Sequence, residues 1–198
     1  MAAELDGKRV AILATDGVEQ IELSDPRRAL QEAGATVEVI APHGGEIQGY
    51  EHREKGAGLR VDATLEETKA SRYDALMLPG GVVNADHLRL EKRAVAFVRE
   101  MVASGKPVAV ICHGAWALVE ADAVRGLTLT SYPSLKTDIR NAGGSWVDRE
   151  VVVDSGIVSS RRPDDLPAFD RAMVAEIAKG ICYRRPQVER GKGAERAA

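Results

Sequence analysis

Three short, uninterrupted apolar runs constrain this chain more than any other feature: residues 10–14 (VAILA), 75–78 (ALML) and 107–111 (PVAVI). Each stops at a turn: Thr15-Asp16-Gly17, Pro79-Gly80-Gly81 and Cys112-His113-Gly114. Apolar runs without alternation belong to strands buried on both faces, as in a parallel sheet covered by helices. Residues 36–41 (TVEVIA) add a strand, and residues 127–130 a further one. Val151-Val152-Val153 and Ile157-Val158-Ser159 flank Asp154-Ser155-Gly156 as a hairpin.

Helical patterns alternate with these strands. Ile21, Leu23, Ala29, Leu30 and Ala33 predict a helix stopping near Gly34, which Pro26 should break or kink after its first turn. A shorter helical piece is expected at 65–71. Leu90, Ala94, Phe97, Val98 and Met101 predict an amphipathic helix over 88–104, with Gly105 as its C-terminal cap. Residues 115–123, 135–141 and 164–179 complete the set. The glycine-rich stretch 42–60 reads as an irregular connection with a small hairpin around Ile47. Alternating strands and helices mean a parallel sheet with helices on both faces, and ligands then bind beyond the carboxyl ends of the strands. The segments 16–22, 79–86 and 112–116 are where chemistry should sit.

Composition narrows the function. A chain of 198 residues with 44% apolar residues suits one domain, expected over 1–183. Aromatics are 4% and the net charge is −3, which disfavours nucleic-acid binding through stacking or a basic field. The tail 184–198 has five basic and two acidic residues, no apolar period, and reads as a mobile basic tail. Cys112 and Cys182 cannot form a disulfide framework, so a cytoplasmic location is expected. The run 10–14 is too short for a signal core or a membrane span. His43, His52, His87 and His113 lack metal-ligand spacing, and no metal or cofactor is implied.

Cys112 is the most informative residue. A buried strand runs into it and a helix starts after it, the elbow that lifts a nucleophile above a sheet. The helix N-terminus there favours thiolate. Glu19 begins the helix beyond the first strand and is read either as a capping carboxylate or as a carboxyl poised against the thiol. Glu22 is expected to be solvated or ion-paired. Gly80 and Gly81 form a turn whose N–H groups, with that of His113, could receive an oxyanion. His113 could be a general base for Cys112 or a structural residue. Asp86 could orient His113 or cap the helix near Leu88.

At Ala109-Val110-Ile111-Cys112-His113-Gly114 the sequence resembles the DJ-1/PfpI family, within the class I glutamine-amidotransferase-like superfamily. Residues 8–13 with Asp16-Gly17-Val18-Glu19, residues 73–81, Thr130-Ser131-Tyr132-Pro133 and the hairpin from Trp146 to Arg161 also match. The histidine after the cysteine and the run Arg161 or Arg162, Pro163, Asp165, Leu166 place it nearer the PfpI branch. The resemblance implies a flavodoxin-like α/β sandwich with Cys112 as nucleophile. It implies Glu19 as the carboxyl hydrogen-bonded to it, and Gly81 and the His113 N–H as oxyanion donors. His113 would be the base, and Asp86 would reach it from a neighbouring subunit, which implies a homodimer or larger homo-oligomer. The implied activity is that of a stress-response enzyme acting on a small reactive carbonyl (glyoxalase or deglycase type). A PfpI-type cysteine peptidase acting on peptides, or a redox-sensing or chaperone-like stress protein, are the alternatives. Ala115 stands where the family usually has proline, and 46–60 is longer and more charged than in short members.

Overall fold

The computed structural model describes residues 3–180. The expectations for Cys182 and for the tail 184–198 lie outside the described residues.

In chain order the elements are β1 (Arg9–Leu13), β2 (Val18–Glu19), α1 (Gln20–Glu32), β3 (Thr36–Ala41), β4 (Glu46–Glu51), β5 (Glu54–Arg60) and β6 (Ala63–Thr64). There follow β7 (Ala75–Leu78), α2 (Val82–Leu90), α3 (Lys92–Ala103), β8 (Val108–Ile111), α4 (Ala115–Glu120) and β9 (Thr128–Leu129). The last are α5 (Lys136–Asn141), β10 (Ser145–Trp146), β11 (Val151–Asp154), β12 (Ile157–Ser160) and α6 (Leu166–Lys179). Seven strands form one sheet in the order β11-β12-β8-β7-β1-β3-β6. All pairs are parallel except the β11–β12 hairpin.

The apolar runs become the sheet's centre because both of their faces are covered. Along β1, Ala11 and Leu13 pack with α2, α3 and α4 through Leu88, Phe97, Val98, Met101 and Leu118. Val10 and Ile12 pack on the other side with Leu23 and Leu30 of α1 and Phe169, Met173 and Ile177 of α6. The chain leaves β1 toward β3 on one side and returns to β7 on the other. That reversal opens a crevice beyond the carboxyl ends of β1 and β7.

Several expectations change. Pro26 does not break α1, which runs through it. A proline here removes only the bond to the Glu22 carbonyl, and Pro26 is buried with Leu23 and Leu30 on the inward stripe. The helix expected over 88–104 is two helices, α2 and α3, parted at Glu91, whose extended backbone and side chain cap α3 by accepting the Arg93 N–H. The piece at 65–71 is reduced to one 3-10 turn, Ala70–Arg72. The hairpin expected around Ile47 is present but takes up most of the stretch 42–60, which is therefore not irregular: β4 and β5 pair antiparallel and β2 joins β4, forming a small second sheet over the carboxyl end of β1. Gly105 does close α3, at φ 71°.

Candidate active site

The elbow forms where β8 ends. Cys112 takes φ 60°, a left-handed conformation that costs a non-glycine residue about 1–2 kcal/mol. The 3-10 turn Cys112–Gly114 then leads into α4. Gly114 is required: a Cβ there would sit 2.6 Å from the Leu78 carbonyl oxygen and 2.8 Å from that of Pro79. Its absence lets the elbow lie directly on the loop after β7. Cys112 is 7% exposed and carries a free thiol.

That loop is fixed from beneath. Gly81 takes φ 89°, and a Cβ on it would meet the Gly17 carbonyl oxygen at 2.3 Å. Asn84, fully buried in α2, accepts the Thr15 N–H at 2.8 Å. It donates to the Pro79 and Gly80 carbonyls at 3.1 and 2.9 Å. One amide thus ties the loop after β1 to the loop after β7.

The carboxyl at the thiol is Glu22, and the expectation for Glu19 is corrected. Glu19 lies in β2, and its carboxylate turns outward to accept the His52 N–H at 3.1 Å. Glu22 stands on the inward stripe of α1 with Leu23, Pro26 and Leu30, and is 0% exposed. Its Oε2 accepts the Gly80 N–H at 2.9 Å, and its carboxyl hydrogen-bonds the Cys112 thiol. Glu22 is therefore neither solvated nor ion-paired. Gly80 is also corrected as an oxyanion donor, because its N–H is already held by Glu22.

The electrostatics follow from burial. Desolvation pushes Glu22 up to about 8, against the pull of its bonds to Cys112 and Gly80, so the group is a carboxylic acid at neutral pH. Its Oε1 meets no donor among the described residues, which suits the protonated form. Burial also pushes the Cys112 thiol up, and the nearby Glu22 charge adds to this. The backbone N–H groups of His113 and Gly81 point at the sulfur and oppose the rise. The dipole of the short α4 does not outweigh desolvation. The anion is favoured locally by those two N–H groups and by a Glu22 that keeps its proton.

His113 is brought to the sulfur. Its Nδ1 is 3.3 Å from Cys112 Sγ and its Nε2 is 3.2 Å from Ser134 Oγ. The ring stacks on Tyr132 at 4.6 Å and meets Trp116 edge-on at 5.4 Å. Burial lowers its pKa, so it is neutral at pH 7. Asp86 is exposed in the middle of α2. It does not reach His113 within the chain, nor does it cap a helix. Glu91 does the capping. No group of three or more His, Cys, Asp or Glu among the described residues could hold a metal ion.

Sequence reasoning missed Glu22, Asn84 and Ser134. Glu22 carried a signal: it falls in register with the apolar stripe of α1. Asn84 and Ser134 carried none, since each is an ordinary polar residue near a turn.

Fold and site together define a flavodoxin-like α/β protein with a buried cysteine elbow, a carboxylic acid on one side of the sulfur and an imidazole on the other. The model of the DJ-1/PfpI family matches residues 8–176. The chain belongs to that family. It is 42% identical over 165 residues to protein/nucleic acid deglycase 2 of Escherichia coli, covering 83% of this chain and 94% of that protein. It is 41% identical over 164 residues to a Bacillus subtilis protein, YraA, provisionally named a cysteine protease, covering 83% and 95%. Among solved structures, a two-domain protein of Anabaena variabilis with DJ-1/ThiJ/PfpI-like and ferritin-like domains superposes with a TM-score of 0.81 at 35% identity. That match covers 86% of this chain and 48% of the two-domain protein.

Proposed function

We propose that the chain is a cysteine-dependent enzyme of the reducing cytoplasm that acts on small reactive carbonyls, in the manner of a glyoxalase or deglycase. One observation carries this reading: a buried carboxylic acid, Glu22, hydrogen-bonded to the Cys112 thiol. An acid that stays protonated up to about pH 8 can donate to a thiolate or to the oxygen of a carbonyl under attack. With methylglyoxal, Cys112 adds to the aldehyde carbon and the oxygen takes a proton, giving a hemithioacetal. The hydrogen on that carbon leaves as a proton to Glu22 or His113 and is returned to the neighbouring carbon, giving a thioester. Water hydrolyses the thioester to lactate and frees the thiol, so the net change is addition of one water. The His113 and Gly81 N–H groups, aimed at the sulfur, stand close to where the oxyanion develops. A cysteine 7% exposed admits a two- or three-carbon aldehyde more readily than a polypeptide backbone. The similarity to a deglycase supports the same reading.

A peptidase is the second reading, favoured by the 3.3 Å approach of His113 Nδ1 to Cys112. It needs Asp86 of a second copy, and exposed Val82 and Val83 on the first turn of α2 support a homo-oligomer. Among the described residues no helix is long and apolar enough to cross a membrane.

The test is lactate formed from methylglyoxal by wild type and Cys112→Ala side by side. Lactate from wild type alone supports the carbonyl reading. No lactate from either rejects it and directs the work to peptide cleavage, with Asp86→Ala as the variant that separates the peptidase, and to Cys112 oxidation by peroxide.

A further inference from the structure

Both ring nitrogens of His113 are engaged, and the outer partner is a hydroxyl. Ser134 Oγ lies 3.2 Å from Nε2 while Nδ1 faces the sulfur at 3.3 Å. Ser134 is the middle residue of the 3-10 turn Pro133–Leu135. Pro133 pre-sets the backbone at the start of that turn and fully buried Leu135 anchors its end. Just before it, the Tyr132 N–H donates to the Cys112 carbonyl at 3.2 Å, and the Tyr132 ring stacks on His113. The turn is thus pinned to the same elbow that it serves. Ser134 itself is exposed, so one side of its oxygen faces the ring and the other faces water.

A neutral imidazole can take the thiol proton at Nδ1 only if its own proton is on Nε2. We infer that Ser134 is a positioning residue: its Oγ accepts the Nε2–H of His113, fixing the tautomer that leaves the Nδ1 lone pair directed at Cys112 Sγ. The proton passes from Sγ–H to Nδ1, leaving thiolate and imidazolium. The imidazolium then has both N–H groups bonded, Nδ1–H to sulfur and Nε2–H to Ser134. Ser134 still has its own O–H to donate to water. Ser134 so occupies, within one chain, the position at Nε2 that a triad acid would take. The other charged groups near this array are Glu22 across the sulfur, and Arg89 and Asp138 on Trp116. None of them bonds the His113 ring among the described residues.

The inference rests on His113 serving Cys112, and its test avoids any carbonyl substrate, so it can fail independently of the proposed activity. The readouts are the NMR signals of the His113 ring nitrogens and the pH profile of Cys112 alkylation by iodoacetamide. Wild type should show the proton on Nε2 at pH 8. Ser134→Ala should slow alkylation at pH 7 about three- to tenfold, the worth of one lost hydrogen bond, and shift the profile to higher pH. Ser134→Thr, which keeps the hydroxyl, should restore both. A wild-type proton on Nδ1, or a Ser134→Ala protein with unchanged rate and profile, overturns the inference. The wild-type tautomer decides it even if Ser134→Ala fails to fold.

Discussion

Glu22 Oε2 accepts the Gly80 N–H at 2.9 Å, so the acid that meets the Cys112 thiol is held in place by the glycine pair after β7. Three segments far apart in sequence converge there: the first turns of α1, the loop after β7 and the elbow after β8. A Cβ on Gly80 would lie 2.3 Å from Glu22 Oε2 and 2.7 Å from the Cys112 Cβ, so no larger residue allows the three to meet.

Glu22 should set the alkaline limb of activity. Below about pH 8 it is protonated and donates; above, it ionises beside the thiolate, loses its donor role and repels it. Lactate formation is expected to fall as pH rises through about 8. Glu22→Gln cannot exchange a proton, so it should lower turnover by about a hundredfold and abolish that limb. Glu19→Gln keeps an oxygen that can accept the His52 N–H and removes a charge whose repulsion raises Glu22, so it should stay within about twofold of wild type at pH 7, with the alkaline limb kept but moved to lower pH. Equal losses in both variants, measured across pH 6 to 10, would reject the assignment.

Much of the framework was legible, for a physical reason. Strands β1, β7 and β8 are covered on both faces and so read as unbroken apolar runs, and the cysteine elbow follows from one such run ending in Cys-His-Gly. The choice between Glu19 and Glu22 was not legible, because it depends on where α1 starts. β2 pairs with β4 and carries Glu19 outward, an interaction with a hairpin more than twenty residues away. The break between α2 and α3 was hidden because it occurs at Glu91, without glycine or proline. α2 also inverts the usual pattern, burying Asn84 while exposing Val82, Val83 and Leu90.

The left-handed backbone of Cys112 should be measurable as strain. Cys112→Gly and Cys112→Ala both remove the thiol and should both be inactive. Glycine adopts φ 60° without penalty, whereas alanine pays about 1–2 kcal/mol there. Glycine gives back about 0.5–1 kcal/mol through its freer unfolded chain. Cys112→Gly is therefore expected to be more stable than Cys112→Ala by up to about 1.5 kcal/mol in denaturant melts. A glycine variant clearly less stable than the alanine variant would mean that the elbow is unstrained.

Asn84 should matter to stability and activity together. Its removal strands the Thr15 N–H and the Pro79 carbonyl in a buried place and leaves the Gly80 carbonyl with only the Glu19 N–H at 3.4 Å. Asn84→Ala should cost about 3 kcal/mol, from unsatisfied groups worth roughly 1–3 kcal/mol each with partial relaxation. Asn84→Asp keeps the acceptor for Thr15 but loses both donations, and should recover only part of that. Because the tied loop carries Gly80 and Gly81, lactate formation should fall even at temperatures where the variants remain folded. Full activity in folded Asn84→Ala would show that the loop keeps its shape without this amide.

A second buried carboxyl gives the fold its own pH dependence, away from the site. Asp170 on α6 faces Asp25 and Arg28 on α1, which are ion-paired with each other. Its Oδ1 has no hydrogen-bond partner among the described residues. Burial first, then the Asp25 charge, pushes Asp170 up to about 7, only partly offset by Arg28. The folded chain therefore holds a proton that the unfolded chain gives up near pH 4, and stability falls as pH rises from about 4 to about 7. Asp170→Asn keeps the shape, and can donate to Asp25, without ever becoming charged. At about pH 3.5, before the unfolded chain has released much of this proton, its Tm should match wild type. At pH 8 it should be more stable by about 1 kcal/mol, well below the full linkage value because the group is partly solvated. A difference between the two proteins that does not change between about pH 3.5 and pH 8 would mean that Asp170 titrates normally.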